Sequence, residues 1–288
     1  MLDLHLHSHF SPDARSTRRQ VVRLAASGVP ARIAVTDHDS TAFHDRLAYR
    51  PRWLTAGVEI TCSLDRAPHR EIHILCYFPD LAARGRPWRH PAFRRLLERC
   101  HWVKARRFEL IAGLLALGAE RKEALVRTCR ADGVPPAAGV ATCLLERAGA
   151  QAFGWPADSL RAAIGEAERT LIRTGTLPSF PRLRLVARTL ATTGGLWGLA
   201  HPARYGWSWP HARRIVDWTV TLGASGLEVY HLPSGRQPGL RSHARSRRLV
   251  AFAGSDCHDL SRSRGDWRDW GANIPARCDL AMVYRYLR

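Results

Sequence analysis

The sequence predicts an α/β fold in which buried strands alternate with helices. Its 288 residues are 45% hydrophobic and 24% charged, which is enough apolar material for a sizeable core. Short β-rich runs recur along the chain, and helical patterns separate many of them. Because apolar strands joined through helices are typical of parallel pairing, we expect an α/β protein built on parallel strands.

The predicted elements follow one another in a regular order near both ends of the chain. The predicted strands are Met1–His7, Arg32–Asp37, Leu54–Ile60, Glu71–Phe78, Leu196–His201, Gly226–Tyr230 and Leu249–Ser255. The predicted helices among them are Thr17–Ser27, Arg182–Thr193, His211–Leu222 and Gly239–Arg248. Several of the strands end in polar residues that could carry chemistry.

Residues 84–180 have a different character and are predicted to form a helical insertion. The helical patterns there are Phe93–Leu117, Arg121–Cys129, Val140–Ala148 and Ala157–Arg173. From Arg84 to Arg130 the chain has 13 Lys+Arg against 4 Asp+Glu, so this segment is either a solvated basic surface or a cap that attracts an anionic substrate. We therefore expect a first part of the α/β body at 1–83, the insertion at 84–180 and a second part of the α/β body at 181–288.

The composition favours an anionic partner and argues against several protein classes. The formal net charge is +19, and Lys104 and Lys122 are the only lysines among 44 basic residues. Seven cysteines without a Cys-x-x-Cys pair argue against a disulfide framework and a thiolate zinc site. The sequence has neither a run of ~18 apolar residues nor a secretory signal, so we expect a cytoplasmic protein with no membrane span.

Histidines and carboxylates gather at or near the ends of the predicted strands. His5 and His7 share one face of the first strand, because side chains alternate along a strand. Imidazole and carboxylate suit zinc, manganese or iron(II). Nine such ligands are too many for one ion, so they imply a cluster of two or three divalent metals bridged by a carboxylate such as Glu59. The predicted ligands are His5, His7, Asp13, His38, Glu59, His73, His201, Asp256 and His258.

These motifs resemble those of the PHP family of metal-dependent phosphoesterases, named for polymerase and histidinol phosphatase. The motifs HLHS, TDHD, GVEI, EIHIL, AHPARY, GLEVY and GSDCH occur in that order, within about residues 1–80 and 185–265. The resemblance implies a distorted (β/α)7 barrel with a trinuclear site. The implied metal groups are His5, His7, Glu59 and Asp256; Glu59, His73 and His201; and Asp13, His38 and His258.

Within the family, the insertion and AHPARY are most similar to the branch of nucleoside 3′,5′-bisphosphate phosphatases and the 5′-to-3′ exoribonuclease RNase AM. Lys104 and Arg107 fall where that branch has a basic run, which implies substrate binding. The branch usually has a Gly-Arg-x-His-type segment in the insertion, but residues 135–139 here read PPAAG. The basic and imidazole side chains of that segment are therefore missing.

The resemblance implies hydrolysis of a phosphomonoester by a hydroxide that bridges two metals. The expected substrate is a phosphorylated nucleotide or the 5′ end of a short RNA, with no obligate protein partner. Mn²⁺ is the expected metal, and Zn²⁺ or Fe²⁺ are alternatives. The residues expected to be catalytic are Asp13, Glu59, Arg204 and Asp256.

Other side chains near these motifs are expected to support the site. Arg204 suits a phosphate, because a guanidinium binds this group with two hydrogen bonds. Glu228 is expected either to orient a ligand or to bind substrate, and Asp37 and Asp39 are expected to support neighbouring imidazoles. The remaining histidines are predicted to lie at the surface or behind the ligands; they are at positions 9, 44, 69, 90, 101, 211, 231 and 243.

Other functions stay open beside the nucleotide phosphoesterase. An amidohydrolase of the urease type also opens with His-x-His, but it often needs a carboxylated lysine at a strand end, and both lysines here lie in the insertion. A catalytically impaired PHP module that binds nucleic acid is conceivable, although none of the nine ligands is missing. A phosphatase of a non-nucleotide ester is also compatible with the motifs.

Overall fold

The computed structural model describes residues 2–11, 13–27, 32–47, 54–78, 86–115, 157–231 and 239–260. The helices predicted at Arg121–Cys129 and Val140–Ala148, and the PPAAG segment at 135–139, lie outside these residues. Lys122 also lies outside them.

Within the described ranges, seven strands form one sheet whose spatial order follows the sequence order. The strands are β1 (Leu2–Leu6), β2 (Arg32–Val35), β3 (Leu54–Leu64), β4 (Ala67–Phe78), β5 (Leu196–Leu199), β6 (Gly226–His231) and β7 (Val250–Gly254). Each predicted strand overlaps one of these, and the predicted α/β class is confirmed.

The prediction of parallel pairing is wrong for one strand. β1, β2 and β3 pair in parallel, as do β5, β6 and β7, but β4 is antiparallel to both β3 and β5. Only Asp65 and Arg66 separate β3 from β4. A connection of two residues returns the chain antiparallel to itself, because a parallel crossover needs a dozen residues or more.

The sheet nearly closes into a barrel, because the chain beyond β7 lies beside β1. The Asp256 N–H donates to the His5 carbonyl at 2.8 Å, and the His7 N–H donates to the Cys257 carbonyl at 2.9 Å. Gly254 permits this approach, since a Cβ atom there would lie 2.1 Å from the His5 Cβ. The closure places the first and last histidine motifs of the sequence side by side.

Helices pack against the outside of the barrel. They are α1 (Arg18–Ser27), α2 (Ala42–Asp45), α3 (Pro91–Leu114), α4 (Ala157–Arg173), α5 (Leu183–Thr193), α6 (Trp209–Thr221) and α7 (Leu240–Ser246). Two short 3₁₀ turns lie at Pro87–Arg89 and Pro202–Tyr205. Helices α3 and α4 belong to the predicted insertion, whose boundaries as a separate segment stay a prediction. None of the helices in the described ranges is long and apolar enough to cross a membrane.

Apolar residues at helical spacing explain how these helices dock. In α5, Leu183, Val186, Ala187 and Leu190 are buried, so one face of the helix packs against the sheet. The helix ends at Gly194, whose φ of 65° is the left-handed conformation that glycine adopts without steric cost.

The core has layers on both sides of the sheet. One buried cluster draws residues from β1, β2, β4, β5 and β7, so it fills the space that the barrel encloses; it contains Leu4, Ala34, Leu75, Tyr77, Leu196, Ala200, Val250 and Phe252. A larger cluster joins β3 and β4 to helices α3 and α5. In that layer the Cys100 thiol of α3 donates to the Thr61 carbonyl of β3 at 3.4 Å. Helix α3 is thereby fixed against the strand that carries Glu59.

Candidate metal centre

The structure brings all nine predicted ligands into one connected cluster. Glu59 lies on β3 and His73 on β4, while the others lie in β1 or in the segments that follow β1, β2, β5 and β7. Each of the nine side chains is within 3.5 Å of at least one other member. Residues from both ends of the chain meet here because the barrel closes between β7 and β1.

Glu59 is the centre of the cluster. Its Oε1 lies 2.9 Å from His73 Nδ1 and 2.9 Å from His201 Nε2. Its Oε2 lies 3.1 Å from His5 Nε2, 3.2 Å from His7 Nε2 and 3.1 Å from His38 Nδ1. The two carboxylate oxygens therefore face two different sets of imidazoles, as a bridging ligand requires.

One of these sets has the spacing of a metal site. His5, His7, Glu59 and Asp256 are all buried, and each offers one ligand atom to the same small space. The Asp256 Oδ1 lies 3.3 Å from His5 Nε2 and 3.2 Å from His7 Nε2, and these two nitrogens are 3.1 Å apart. Four ligands placed 2.0–2.1 Å from one ion in a tetrahedron would be about 3.3 Å from one another.

A further set lies around His38. Its Nε2 is 3.5 Å from Asp13 Oδ2, which is itself 3.2 Å from His258 Nε2. His7, His38 and His258 offer ligand atoms at metal spacing, as do His38, Glu59 and His73. His38 thus lies between two sets and presents one ring nitrogen to each.

The donor set fits metal ions better than it fits hydrogen bonding alone. Five imidazole nitrogens approach the Glu59 carboxylate, which has about four lone-pair sites. His38 Nδ1 and Asp13 Oδ1 are buried and have no hydrogen-bond partner among the described residues, although His38 Nδ1 is 3.1 Å from Glu59 Oε2. Buried polar atoms without partners are costly, and bound cations would satisfy them.

The charges of the cluster are strongly coupled. Burial opposes ionisation of Glu59, but the imidazoles of His38, His5 and His73 hold its pKa well below the usual range. Burial likewise opposes the charged form of His5, but Glu228, Glu59 and Asp256 raise its pKa well above the usual value. The metal-free site is therefore an array of anionic carboxylates and partly protonated imidazoles.

Metal binding is expected to release protons at pH 7, because ligands bind metal in their deprotonated forms. His5 has a raised pKa, and although burial opposes it, Asp13 raises the pKa of His258 to about 9. His258 is therefore protonated at pH 7 without metal, and the raised pKa values of His5 and His73 favour their protonated forms as well, so apparent metal affinity rises with pH up to about 9. Burial lowers the pKa of His38 to about 4, so this ligand is already neutral.

Calorimetric titration with Mn²⁺ at pH 7, in two buffers of different ionisation enthalpy, measures this release directly. Equal apparent enthalpies in the two buffers would contradict the prediction.

Glu228 supports the ligands from behind. It is buried, its Oε1 lies 3.0 Å from His5 Nδ1, and its Oε2 accepts the backbone N–H of His201 at 2.6 Å. Because a carboxylate accepts hydrogen bonds, the neutral form of His5 that binds metal carries its proton on Nδ1 and leaves Nε2 free as a ligand. These contacts indicate a positioning role, which is one of the two roles expected for Glu228; substrate binding by it stays a prediction.

Three residues of the site have a left-handed backbone, at φ 54° for Asp39, 28° for His201 and 53° for Asp256. Residues other than glycine pay of order 1–3 kcal/mol for such conformations, so their surroundings must hold them there. The Asp39 carboxylate accepts the Thr61 N–H at 2.7 Å and its hydroxyl at 2.8 Å. For His201, the bond to Glu228 serves the same purpose.

Asp37 and Asp39 differ from expectation, since the hydrogen bonds of their carboxylates go to other groups than imidazoles. Asp37 accepts the backbone N–H and the hydroxyl of Ser8, at 2.6 and 2.7 Å. The hydroxyl that does face an imidazole belongs to Ser11, whose Oγ lies 2.9 Å from His7 Nδ1 and accepts the His38 N–H at 2.8 Å. A serine is too common in loops for its sequence position alone to indicate this.

The two basic residues predicted from helix α3 have different positions. Lys104 is buried at the edge of the cluster, where its Nζ lies 2.6 Å from Asp39 Oδ2. Arg107 is not brought to the cluster; it pairs with Glu71 and donates to the Pro178 carbonyl at 2.8 Å. Both side chains have protein partners, and substrate binding by either stays a prediction.

The Lys104–Asp39 pair is expected to matter for stability. Lys104→Met leaves the buried Asp39 carboxylate without its cation, which should lower the free energy of unfolding by about 3 kcal/mol or more. The control Arg107→Met removes another buried basic residue of the same helix, but its partner Glu71 is about 40% exposed and stays in contact with water, so a smaller loss is expected. Urea unfolding of both variants measures the difference. Equal losses in the free energy of unfolding would show that the Lys104–Asp39 pair contributes no more to stability than the Arg107–Glu71 pair.

Arg204 lies at the more open side of the cluster. It belongs to the 3₁₀ turn that follows His201, and its Nη1 donates to Asp256 Oδ2 at 2.8 Å. Its side chain is 59% exposed, so it contacts the predicted metal ligand Asp256 and is also accessible to solvent.

His231, predicted from the sequence to be among the histidines at the surface or behind the ligands, lies behind Asp256. This histidine ends β6 and is buried, with its Nε2 3.2 Å from Asp256 Oδ2. It directly follows the predicted strand Gly226–Tyr230, so it has the same strand-end position as the predicted ligands.

The fold is similar to that of two solved proteins. One is assigned as a metal-dependent phosphoesterase from Bifidobacterium adolescentis, with TM-score 0.66 and 22% identity over 89% of this chain and 87% of that one. The other is an amidohydrolase from Chromobacterium violaceum with bound sulfate and no metal, with TM-score 0.65 and 24% identity over 90% of this chain and 88% of that one. No family model and no curated protein matches the sequence. These likenesses confirm the predicted barrel fold.

Proposed function

We propose that this chain is a metal-dependent phosphoesterase that hydrolyses a phosphorylated nucleotide, a 3′,5′-bisphosphate or the 5′ end of a short RNA. The observation that carries the proposal is the cluster of nine ligands around Glu59, with an exposed arginine beside it. Metals about 3.5–4 Å apart suit phosphoryl chemistry, because they bind both the attacking and the leaving oxygen.

Divalent ions held by this cluster would supply Lewis acidity, which polarises a phosphoryl oxygen and makes water nucleophilic near neutral pH. We assign the same three groups of ligands to them as the sequence motifs imply, with Glu59 shared between two groups. The chain's own residues fix the ligands: Glu228 keeps the proton of His5 on Nδ1, and Ser11 orients His7.

Arg204 would bind the substrate phosphate. Its guanidinium can donate to two phosphate oxygens, and its 59% exposure leaves it accessible to a ligand from solvent. The formal net charge of +19 supports an anionic substrate, since a positive field raises the encounter rate with anions.

The amidohydrolase alternative is less well supported. A carboxylated lysine would have to reach the metals from a strand end, but Lys104 lies on helix α3 and is engaged by Asp39 at 2.6 Å. A binding module without catalysis is also less favoured, because the nine ligands are present and lie together.

The test is phosphate release from adenosine 3′,5′-bisphosphate by metal-stripped protein resupplied with Mn²⁺, with a 5′-phosphorylated RNA oligomer and p-nitrophenyl phosphate run in parallel. We expect release from the bisphosphate or mononucleotides from the RNA. Release from p-nitrophenyl phosphate alone would overturn the nucleotide substrate and retain the phosphoesterase. No turnover of any substrate by protein that binds Mn²⁺ would contradict the proposal and favour the binding module.

A further inference from the structure

The two oxygens of Asp256 have separate environments. Oδ1 faces the ligand nitrogens of His5 and His7, at 3.3 and 3.2 Å. Oδ2 faces away from them, and its partners among the described residues are Arg204 Nη1 at 2.8 Å and His231 Nε2 at 3.2 Å. The orientation of the carboxylate, and hence the availability of Oδ1 as a ligand, depends on what holds Oδ2.

The two partners of Oδ2 differ in their access to solvent. The Arg204 side chain is 59% exposed, whereas that of His231 is 2% exposed. His231 is fixed by its place at the end of β6, where it pairs in register with Gly254 of β7. Its ring also lies 5.3 Å from that of His201 and 6.3 Å from that of His5, between centroids. The exposed Arg204 side chain has room to move toward a substrate anion, whereas the buried His231 side chain does not.

We propose that His231 is a positioning residue that keeps Asp256 Oδ1 directed at His5 and His7 when Arg204 leaves Asp256 to bind the substrate anion. The role assigned to Arg204 rests on the proposed function; the hydrogen bond between His231 and Asp256 does not. Because a carboxylate only accepts hydrogen bonds, His231 holds its proton on Nε2 and donates it to Oδ2.

An anionic substrate would compete with Asp256 for the Arg204 guanidinium. Without a second partner, Oδ2 would then be left in a buried site with no hydrogen bond, and the carboxylate could rotate to direct both oxygens at the ligand set. Asp256 also has a left-handed backbone at φ 53°, which its surroundings must maintain. His231 supplies a partner that substrate binding does not remove.

A double-variant cycle on metal affinity tests the inference without any substrate. Either His231→Leu or Arg204→Met alone leaves Oδ2 one partner, so we expect Mn²⁺ affinity to fall by only a few fold. The double variant removes both partners and is expected to lose about a hundredfold, more than the product of the single effects. His231→Gln in the Arg204→Met background should restore most of the affinity, because the glutamine amide can donate to Oδ2.

His243→Leu is the matched control. His243 is also buried and lies 2.9 Å from a carboxylate, that of Asp217, which has Arg247 as a second partner at 2.7 Å. Its removal should leave Mn²⁺ affinity unchanged in both backgrounds. The inference is overturned if the double variant binds Mn²⁺ as well as Arg204→Met alone, or if glutamine at 231 rescues no better than leucine.

Turnover separates the two roles further. His231→Leu should lower kcat with little change in KM, because the defect develops once Arg204 has turned to the substrate, whereas Arg204→Met should raise KM. If no phosphate ester is turned over, the proposed function fails, while the affinity cycle still decides the role of His231. Strong synergy in metal affinity with no turnover would therefore retain this inference alone.

Discussion

Replacing Glu59 with glutamine is expected to remove metal from two groups of ligands at once. The variant should bind about one divalent ion or fewer per chain, against two or three for the parent, because the shared ligand loses its charge. Oε1 faces His73 and His201, and Oε2 faces His5, His7 and His38, so the substitution affects both sets of imidazoles. Metal analysis after equilibration with Mn²⁺ and gel filtration measures the change.

Glu71→Gln is the matched control for this substitution. Glu71 lies on β4 and pairs with Arg107, outside the cluster. The control should bind as much metal as the parent. Full metal content in Glu59→Gln would show that its carboxylate is not shared between the groups.

The sequence carried enough information to predict that the nine side chains lie together, because they carry local signals. His5 and His7 alternate on a strand, Asp256 and His258 follow a strand, and Glu59 lies within a buried one. In a barrel the ends of the strands converge at one face. Polar residues at the ends of successive strands are therefore predicted to form one cluster.

The features that could not be predicted depend on contacts between distant residues. The pairing of Lys104 with Asp39 joins a helix to a loop, and no local pattern specifies which carboxylate a lysine will meet. Glu228 binds His5 and the backbone of His201 at once, and only the closed barrel brings them together.

The antiparallel direction of β4 was not predicted for a different reason. The turn at Asp65 and Arg66 contains an aspartate, but it lacks the Asn-Gly or Asp-Gly pair that most clearly marks a two-residue hairpin. The predicted strands Leu54–Ile60 and Glu71–Phe78 left a gap of ten residues, which the structure fills by extending both strands. A gap of ten residues between the predicted strands did not by itself indicate a two-residue hairpin, so the antiparallel direction of β4 could not be predicted.

Asp256→Asn is expected to reduce turnover about a thousandfold or more while the protein stays folded. The substitution keeps the volume of the side chain but removes the charge that faces His5 and His7. The amide group also cannot accept from Arg204 and His231 while it offers an oxygen to metal.

His7→Ala should have an effect of the same size. Its ring lies 4.2 Å from that of His258 and 4.6 Å from that of His38, between centroids, so its loss disturbs two groups.

Asp217→Asn provides the comparison that separates chemistry from packing. Asp217 resembles Asp256 in having a histidine and an arginine as partners, His243 and Arg247, but its carboxylate is outside the cluster. We expect near-parental turnover from Asp217→Asn. Circular dichroism and thermal unfolding of each variant establish that it is folded. Since Asp256 alone of the two aspartates faces the ligand nitrogens, equal turnover by the two variants would refute the site, whereas loss confined to Asp256→Asn would tie the reaction to the charge at that position.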